Sequence, residues 1–145
     1  MKILCLNPPF KTEYGRFSRT SRSPAITKSG TIYYPIWLCY AAGVLEDAGH
    51  EVKVIDCCAY EYDLEAALRI VAEFKPEMVV IDTSTPSICS DVKTGAEIKK
   101  ILPGCFVVLM GTHPTALPEE TLKLDSTIDA VVVGEADYTV KELAQ

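Results

Sequence analysis

Met78-Val79-Val80-Ile81, followed by Asp82-Thr83-Ser84-Thr85-Pro86-Ser87, is the stretch whose pattern sets the fold class. Four apolar residues in unbroken succession do not suit a sheet with one wet and one dry face. Such a run belongs to a strand covered on both sides, as strands of parallel sheets are. The polar segment after it reads as a strand-to-helix loop. Two more runs repeat the pattern: Phe106 to Met110 ahead of Gly111-Thr112-His113-Pro114, and Ile128 to Val133 ahead of Gly134-Glu135.

Toward the N-terminus, Lys2 to Leu6 is a strand broken by Asn7-Pro8-Pro9, and Val52 to Ile55 is a strand ended by Asp56. Helical patterns lie between the strands. Pro35 suits a first turn, Ile36 to Ala48 follows, and Gly49 is placed to close the helix. That helix is apolar around most of its girth, which predicts deep burial. Asp63 is placed to cap a helix carrying Leu64, Ala67, Leu68 and Val71 at i, i+3, i+4, i+7 spacing. Asp91 to Leu102 precedes Pro103-Gly104, Pro118 to Leu124 is a short helix, and a last helix starts near Tyr138. Strands alternating with helices require right-handed crossovers. The expectation is an α/β fold: a doubly wound, mainly parallel five-stranded sheet in a Rossmann-like or flavodoxin-like three-layer sandwich. At 145 residues the chain reads as one domain, 1–145, able to bury roughly 70% of its unfolded surface. Its end inside a helix is read as a cut within a longer protein or a junction to a further domain.

Composition removes several function classes. The longest apolar runs are far too short for a membrane span, and Lys2 followed at once by a strand does not read as a signal peptide. Net charge is −6, unevenly spread: residues 1–34 hold six cations (Lys2, Lys11, Arg16, Arg19, Arg22, Lys28) and one anion, Glu13, so the rest is strongly acidic. An acidic body argues against nucleic acid as partner. Residues 10–34 carry no periodic pattern, and so long a segment is functional or disordered. Its basic character leaves open an anionic ligand or a solvated loop. Of the six cysteines, Cys5, Cys39 and Cys105 sit inside apolar patterns and read as small core residues. No CxxC pair marks a zinc site, and adjacent Cys57-Cys58 are badly placed for a mutual disulfide. All six are expected to be reduced thiols in a cytoplasmic protein.

In open α/β sheets, ligands bind beyond the carboxyl ends of the strands. Here those positions are Asn7-Pro8-Pro9-Phe10, Asp56-Cys57-Cys58, Thr83 to Ser87, Gly111 to Pro114 and Gly134-Glu135. Glycines let a ligand approach the backbone, and hydroxyls and free amides suit phosphate, amide or ribose groups. Any one such loop also needs these residues for its own turns; several such loops at one edge point to a site. No GxGxxG follows the first strand and no GxxxxGK[ST] occurs, which disfavours an ordinary dinucleotide domain and a P-loop nucleotidase. A phospho-receiver is disfavoured because the first strand ends in Asn7 and no lysine follows the fifth. His113 is a ligand, an acid–base group or, the favoured reading, a loop histidine bonded to backbone; His50 lies at the opposite end of the sheet. No catalytic residue and no metal-ligating set can be assigned.

The ordered set Asn7-Pro8-Pro9, Pro35 to Leu45, Ala48-Gly49-His50-Glu51-Val52, Lys75-Pro76-Glu77 and Thr83 to Ser87 resembles the N-terminal domain of cobalamin-dependent radical-SAM proteins. The strongest part is Gly111-Thr112-His113-Pro114-Thr115, similar to the family's GGxHPT loop, with Asp129 to Asp137 similar to its DxVxxGEGE segment. The resemblance implies cobalamin bound in this domain. The loops holding Thr83, Ser84, Thr85 and Ser87, and Gly111, Thr112, His113, Pro114 and Thr115, would line its dimethylbenzimidazole tail, with Asn7, Pro8 and Pro9 beside them. Gly134 and Glu135 would lie near the nucleotide end. It also implies a [4Fe-4S] cluster and S-adenosylmethionine in a downstream radical-SAM barrel, because the CxxxCxxC motif is absent here. The parent would be an enzyme of methyl transfer or radical rearrangement, with this domain itself non-catalytic. Two departures stand out. Met110-Gly111 replaces a glycine pair, and the DxHxxG loop that supplies a histidine below cobalt in other cobalamin proteins is missing. Two other readings remain open: the nucleotide- or nucleotide-sugar-binding half of a two-domain transferase, and an interaction module that has lost its cofactor.

Overall fold

The computed structural model describes residues 1–10, 15–19, 25–27 and 29–145. Lys11, Glu13, Arg22 and Lys28 of the basic segment lie outside the described residues. Five strands form one parallel sheet: β1 (Lys2–Asn7), β4 (Glu51–Asp56), β5 (Met78–Thr83), β6 (Phe106–Gly111) and β7 (Ala130–Val131), in the order β4-β1-β5-β6-β7. Between β1 and α1 (Ile36–Asp47), β2 (Arg16–Ser18) and β3 (Ala25–Thr27) pair as a small antiparallel ribbon. The expected flavodoxin-like, doubly wound architecture is the one observed.

Each face of the sheet carries its own core. Leu4, Leu6, Val79, Ile81, Val107 and Leu109 pack against α3 (Leu64–Phe74) and α4 (Ile88–Ile101). Ile3, Cys5, Met78, Val80, Val108 and Met110 pack against α1 and α7 (Asp137–Leu143). The central strands β5 and β6 are dry on both sides, which is why their runs are unbroken rather than alternating. Burying a side chain such as Leu38 or Leu45 fully is worth about 1.5–3 kcal/mol. Local signals agree with this plan. Asp63 accepts from the Ala66 amide at 2.8 Å to start α3, and Gly49, at φ 87°, turns the chain out of α1.

Several expectations are corrected. α1 is not buried all round: only Leu38, Ala41, Ala42 and Leu45 face the sheet, while Trp37, Cys39 and Tyr40 are exposed. Cys39 is therefore a surface thiol, because it sits off the inward stripe set by the 3.6-residue period. The strand expected over 128–133 shrinks to Ala130–Val131. Asp129 explains its late start, since its carboxylate accepts from the Val107 amide at 2.7 Å where strand backbone would otherwise pair. The helix expected from Asp91 starts at Ile88, because a turn at Ser84–Ser87 feeds directly into it. Two short helices unforeseen in the sequence, α2 (Cys57–Tyr60) and α5 (Thr112–Ala116), shape the carboxyl edge ahead of α6 (Pro118–Lys123). No helix among the described residues is long and apolar enough to cross a membrane.

Candidate functional site

From β1 the chain goes out to β4 and then crosses back to β5, so the switch in strand order lies between β1 and β5. A doubly wound sheet opens its crevice there. In this protein that crevice is filled from within. Arg19, just after β2, is buried with its Nη2 2.6 Å and its Nε 3.2 Å from the two carboxylate oxygens of Asp91. Its Nη1 donates to Asn7 Oδ1 at 2.7 Å and to Cys58 Sγ at 3.3 Å. The rings of Phe17 and Phe10 lie 5.2 and 5.9 Å from the guanidinium carbon. Burial pushes the Arg19 pKa down, and the Asp91 carboxylate more than reverses this, so the net direction is up.

The loop after β5 is drawn into the same network. Asp91 Oδ2 also accepts from Thr83 Oγ1 and Ser87 Oγ, each at 2.6 Å, and Ser84 Oγ lies 2.9 Å from Ser87 Oγ. Asn7 Nδ2 donates to Asp56 at 2.7 Å, and the Pro8 carbonyl accepts from Cys58 Sγ. Thus Asn7, Pro8, Thr83, Ser84 and Ser87, expected to meet a ligand, spend their polar groups on one another and on Arg19, Asp91, Asp56 and Cys58. Pro9 is half-buried and Thr85 is exposed.

A second crevice on the same edge is open. It has a volume of about 660 Å³, within the range of small-molecule sites. Trp37 and Tyr40 of α1 form one wall, with ring centroids 6.0 Å apart; Met110 and Gly111 of β6, with Thr112, Thr115 and Ala116, form another. Gly134, Glu135, Ala136 and Asp137, between β7 and α7, complete it. Thr115 joins two of these loops: its hydroxyl donates to the Gly111 carbonyl at 2.7 Å and accepts from the Gly134 amide at 3.0 Å. Of the residues expected at the site, Gly111, Thr112, Thr115, Gly134 and Glu135 line this cavity. His113 and Pro114 turn inward, and His113 Nδ1 lies 3.2 Å from Thr85 Oγ1, a side-chain partner rather than the backbone one expected. Trp37 and Tyr40 were missed because their helix read as deeply buried, although their i, i+3 spacing already placed both on one face.

Gly111 is the tightest point of the edge. Its φ is 116°, and a Cβ there would lie 2.2 Å from the Thr83 carbonyl oxygen and 2.9 Å from Asp82 Oδ1. Asp82 Oδ2 is a buried side-chain oxygen with no partner among the described residues. Burial pushes the Asp82 pKa up to about 7; Asp91 and Asp56 push the same way, against Arg19 and the Thr83 amide. Among the described residues no three His, Cys, Asp or Glu side chains are grouped to hold a metal ion.

A sequence model of the B12 binding domain matches residues 22–144. The chain belongs to the B12-binding domain family. Curated relatives of this B12-binding domain include an uncharacterized methyltransferase of Pyrococcus horikoshii, 37% identical over 99% of this chain and 28% of its own length. An anaerobic magnesium-protoporphyrin IX monomethyl ester cyclase of Rubrivivax gelatinosus is 29% identical over 75% of this chain and 20% of its own. A cytidylyl-2-hydroxyethylphosphonate methyltransferase of Streptomyces wedmorensis is 27% identical over 73% and 23% respectively. The domain therefore spans under a third of the relatives it matches. Its open cavity fits a cobalamin-type ligand chemically: aromatic and methionine surface for an apolar ring, and hydroxyls and main-chain groups for a polar linker.

Proposed function

We propose that this domain holds cobalamin in the cavity between α1, β6 and α7, as the cofactor-binding part of a cytoplasmic radical-SAM enzyme. The [4Fe-4S] cluster and S-adenosylmethionine belong to a downstream barrel domain, and the reaction is methyl transfer or a radical rearrangement. The observation that carries this reading is the 660 Å³ cavity in a B12-binding chain, lined by the loops whose sequences resemble the family's. Bound cobalamin supplies redox-active cobalt for one-carbon or radical chemistry. The domain's own residues bind and orient. Trp37 and Tyr40 offer ring faces, Met110 offers soft apolar surface, and Thr115 locks the Gly111 and Gly134 loops at a fixed spacing. Among the described residues no nucleophile–base pair lines the cavity; on this reading the domain binds and positions, and the bond-making groups belong to the downstream domain.

The nucleotide-sugar reading is weaker on electrostatic grounds. None of the described cavity-lining residues is cationic, Glu135 and Asp137 are among them, and Arg19 is committed to Asp91. A diphosphate would meet like charge there. The test is titration of the protein with hydroxocobalamin, followed by its visible spectrum and by co-migration on a sizing column. Co-migration at tens of micromolar supports the proposal. A thermal shift with nucleoside diphosphate sugars and none with cobalamin would replace it with the transferase reading, and binding of neither would favour an interaction module.

A further inference from the structure

We propose that β4 is a dimer interface: its open edge pairs antiparallel with the same strand of a second copy of this chain, joining two sheets into one across a two-fold axis. The inference is independent of the cobalamin reading and concerns the sheet edge farthest from β7.

The two edges of the sheet are built differently. At one edge β7 is two residues long, and the Asp129 carboxylate takes the Val107 amide at 2.7 Å, so little backbone is offered to a neighbour. At the other, β4 runs for six residues without a proline, and its register with β1 is unbroken from Glu51 to Asp56. Among the described residues β1 is its one strand neighbour. The Glu51 amide donates to the Met1 carbonyl at 3.0 Å, so Glu51 turns its main-chain groups toward β1. Along a strand of a parallel pair, the N–H and C=O of one residue face the partner and those of the next face away. Lys53 and Ile55 therefore also face β1, while Val52, Val54 and Asp56 present theirs outward. Such a row is a template for another strand unless a charge, proline or bulge blunts it. Lys53 is drawn aside, its Nζ 4.7 Å from the centre of the Phe74 ring, and Val54 is 39% exposed.

The side chains select a second copy and its register. Across a two-fold axis, directly opposed residues lie on the same face of the joined sheet, so the axis passes through one residue rather than between two. Centred on Lys53, the two lysines stand against each other, and like charges directly opposite are destabilising. Centred on Val54, Lys53 opposes Ile55 and Val52 opposes Asp56, with no charge matched. Centred on Val52, Lys53 of each copy opposes Glu51 of the other. In that register Val52 meets Val52, and their outward amides and carbonyls exchange two hydrogen bonds. Val54 stands opposite His50, whose amide is committed to the Leu45 carbonyl and whose own carbonyl takes the Val54 amide. The two Glu51–Lys53 pairs fall at non-hydrogen-bonded positions, where side chains come closest. Glu51 can accept this partner, since its side chain is 62% exposed and its contact with Lys2 is long, at 3.7 Å. Charge complementarity thus fits β4 to itself, twice over. Six residues of strand bury less than a standard interface, so the dimer is a micromolar one.

The experiment is sedimentation equilibrium of the protein from low micromolar to near-millimolar concentration, with amide hydrogen exchange measured at both ends of the range. Wild type should pass from monomer to twice the monomer mass, and the Val52 and Val54 amides should exchange more slowly in the concentrated sample. Lys53→Glu sets like charges opposite each other at both pairs and should weaken the dimer about tenfold or more. Glu51→Lys should do the same. Combining Glu51→Lys with Lys53→Glu restores opposite charges and should recover the dimer to within a few-fold of wild type. Val54→Pro removes an amide that faces outward, a strand position proline tolerates, and should leave a folded monomer. A wild-type monomer at every concentration overturns the inference. So does a dimer indifferent to Lys53→Glu, or a double swap no tighter than the single variants. The wild-type masses and exchange rates decide the matter even if a variant folds poorly: a dimer that leaves the Val52 and Val54 amides unprotected uses another surface and overturns it as well.

Discussion

Arg19 and Asp91 meet in a two-bond pairing, 2.6 and 3.2 Å, with both side chains wholly buried and the two residues 72 positions apart in the chain. The pair joins the ribbon before α1 to the first turn of α4, at the point where the strand order reverses. It converts the crevice that doubly wound folds offer to ligands into a polar core, and leaves the neighbouring crevice by β6 as the open one.

Removing one partner of a buried pair costs more than the pair itself contributes, because the other charge is stranded. Arg19→Met should destabilise the protein by about 3–5 kcal/mol, less whatever the Thr83 and Ser87 hydroxyls recover by continuing to serve Asp91. Arg19→Lys should recover only part, since an ammonium cannot span both Asp91 oxygens and Asn7 at once. Urea denaturation of the three proteins measures this. A loss under about 1 kcal/mol for Arg19→Met would mean the network contributes little to stability.

Gly111→Ala sets a methyl group against the Thr83 carbonyl at a φ that L-residues rarely adopt. The strain alone is about 1–3 kcal/mol, and relief requires β5 and β6 to part at their ends. The expected result is a lower urea midpoint together with loss of cobalamin co-migration. Unchanged binding in a destabilised variant would show that the Gly111 wall is not part of the ligand surface.

The sheet was legible because buried parallel strands write themselves as unbroken apolar runs, as at Met78–Ile81 and Val107–Met110. Caps were legible for a similar reason: Asp63 and Gly49 act on backbone a few residues away. The site was half legible. Gly111, Thr115 and Gly134 could be read because close approach to backbone demands small or hydroxyl residues at a strand's end. Thr83, Ser84 and Ser87 carry the same letters, yet their hydroxyls are consumed by Asp91, and only the folded chain brings Arg19 to that carboxylate. Asp82 read as the first residue of a polar loop; its unpartnered oxygen is a property of the folded chain, in which β5 runs between β1 and β6.

Asp82 also makes the protein's stability depend on pH in an unusual direction. Its folded pKa, about 7, lies above the ordinary carboxylate value of 3.8, so between these limits the folded state binds more protons than the unfolded one. By linkage its contribution falls as pH rises from about 4 to about 7, and its full penalty is present above that. Asp82→Asn removes this group while leaving other carboxylates in place. The stability difference between variant and wild type should therefore move toward the variant from pH 5 to pH 8, by roughly 1 kcal/mol or more. Paired urea curves at the two pH values test it, and a difference that does not change with pH would place the Asp82 proton affinity at its unfolded value.

Trp37 and Tyr40 separate binding from folding most cleanly. Both are more than half exposed, at 55% and 53%, so the free protein gains little from their rings. Surface substitutions of this kind change stability by about 0.5 kcal/mol or less. A bound planar group would cover those same rings, and an aromatic contact contributes about 0.5–1.5 kcal/mol beyond the area it buries. Trp37→Ala and Tyr40→Ala should each leave the urea midpoint nearly unchanged and weaken cobalamin binding by roughly three- to tenfold. Trp37 is the only tryptophan, so its fluorescence reports the same event in the wild-type protein. Quenching that saturates with hydroxocobalamin and follows the same isotherm as the visible spectrum would locate the ligand against α1. An unperturbed tryptophan alongside a changed cobalamin spectrum would move the site away from this cavity.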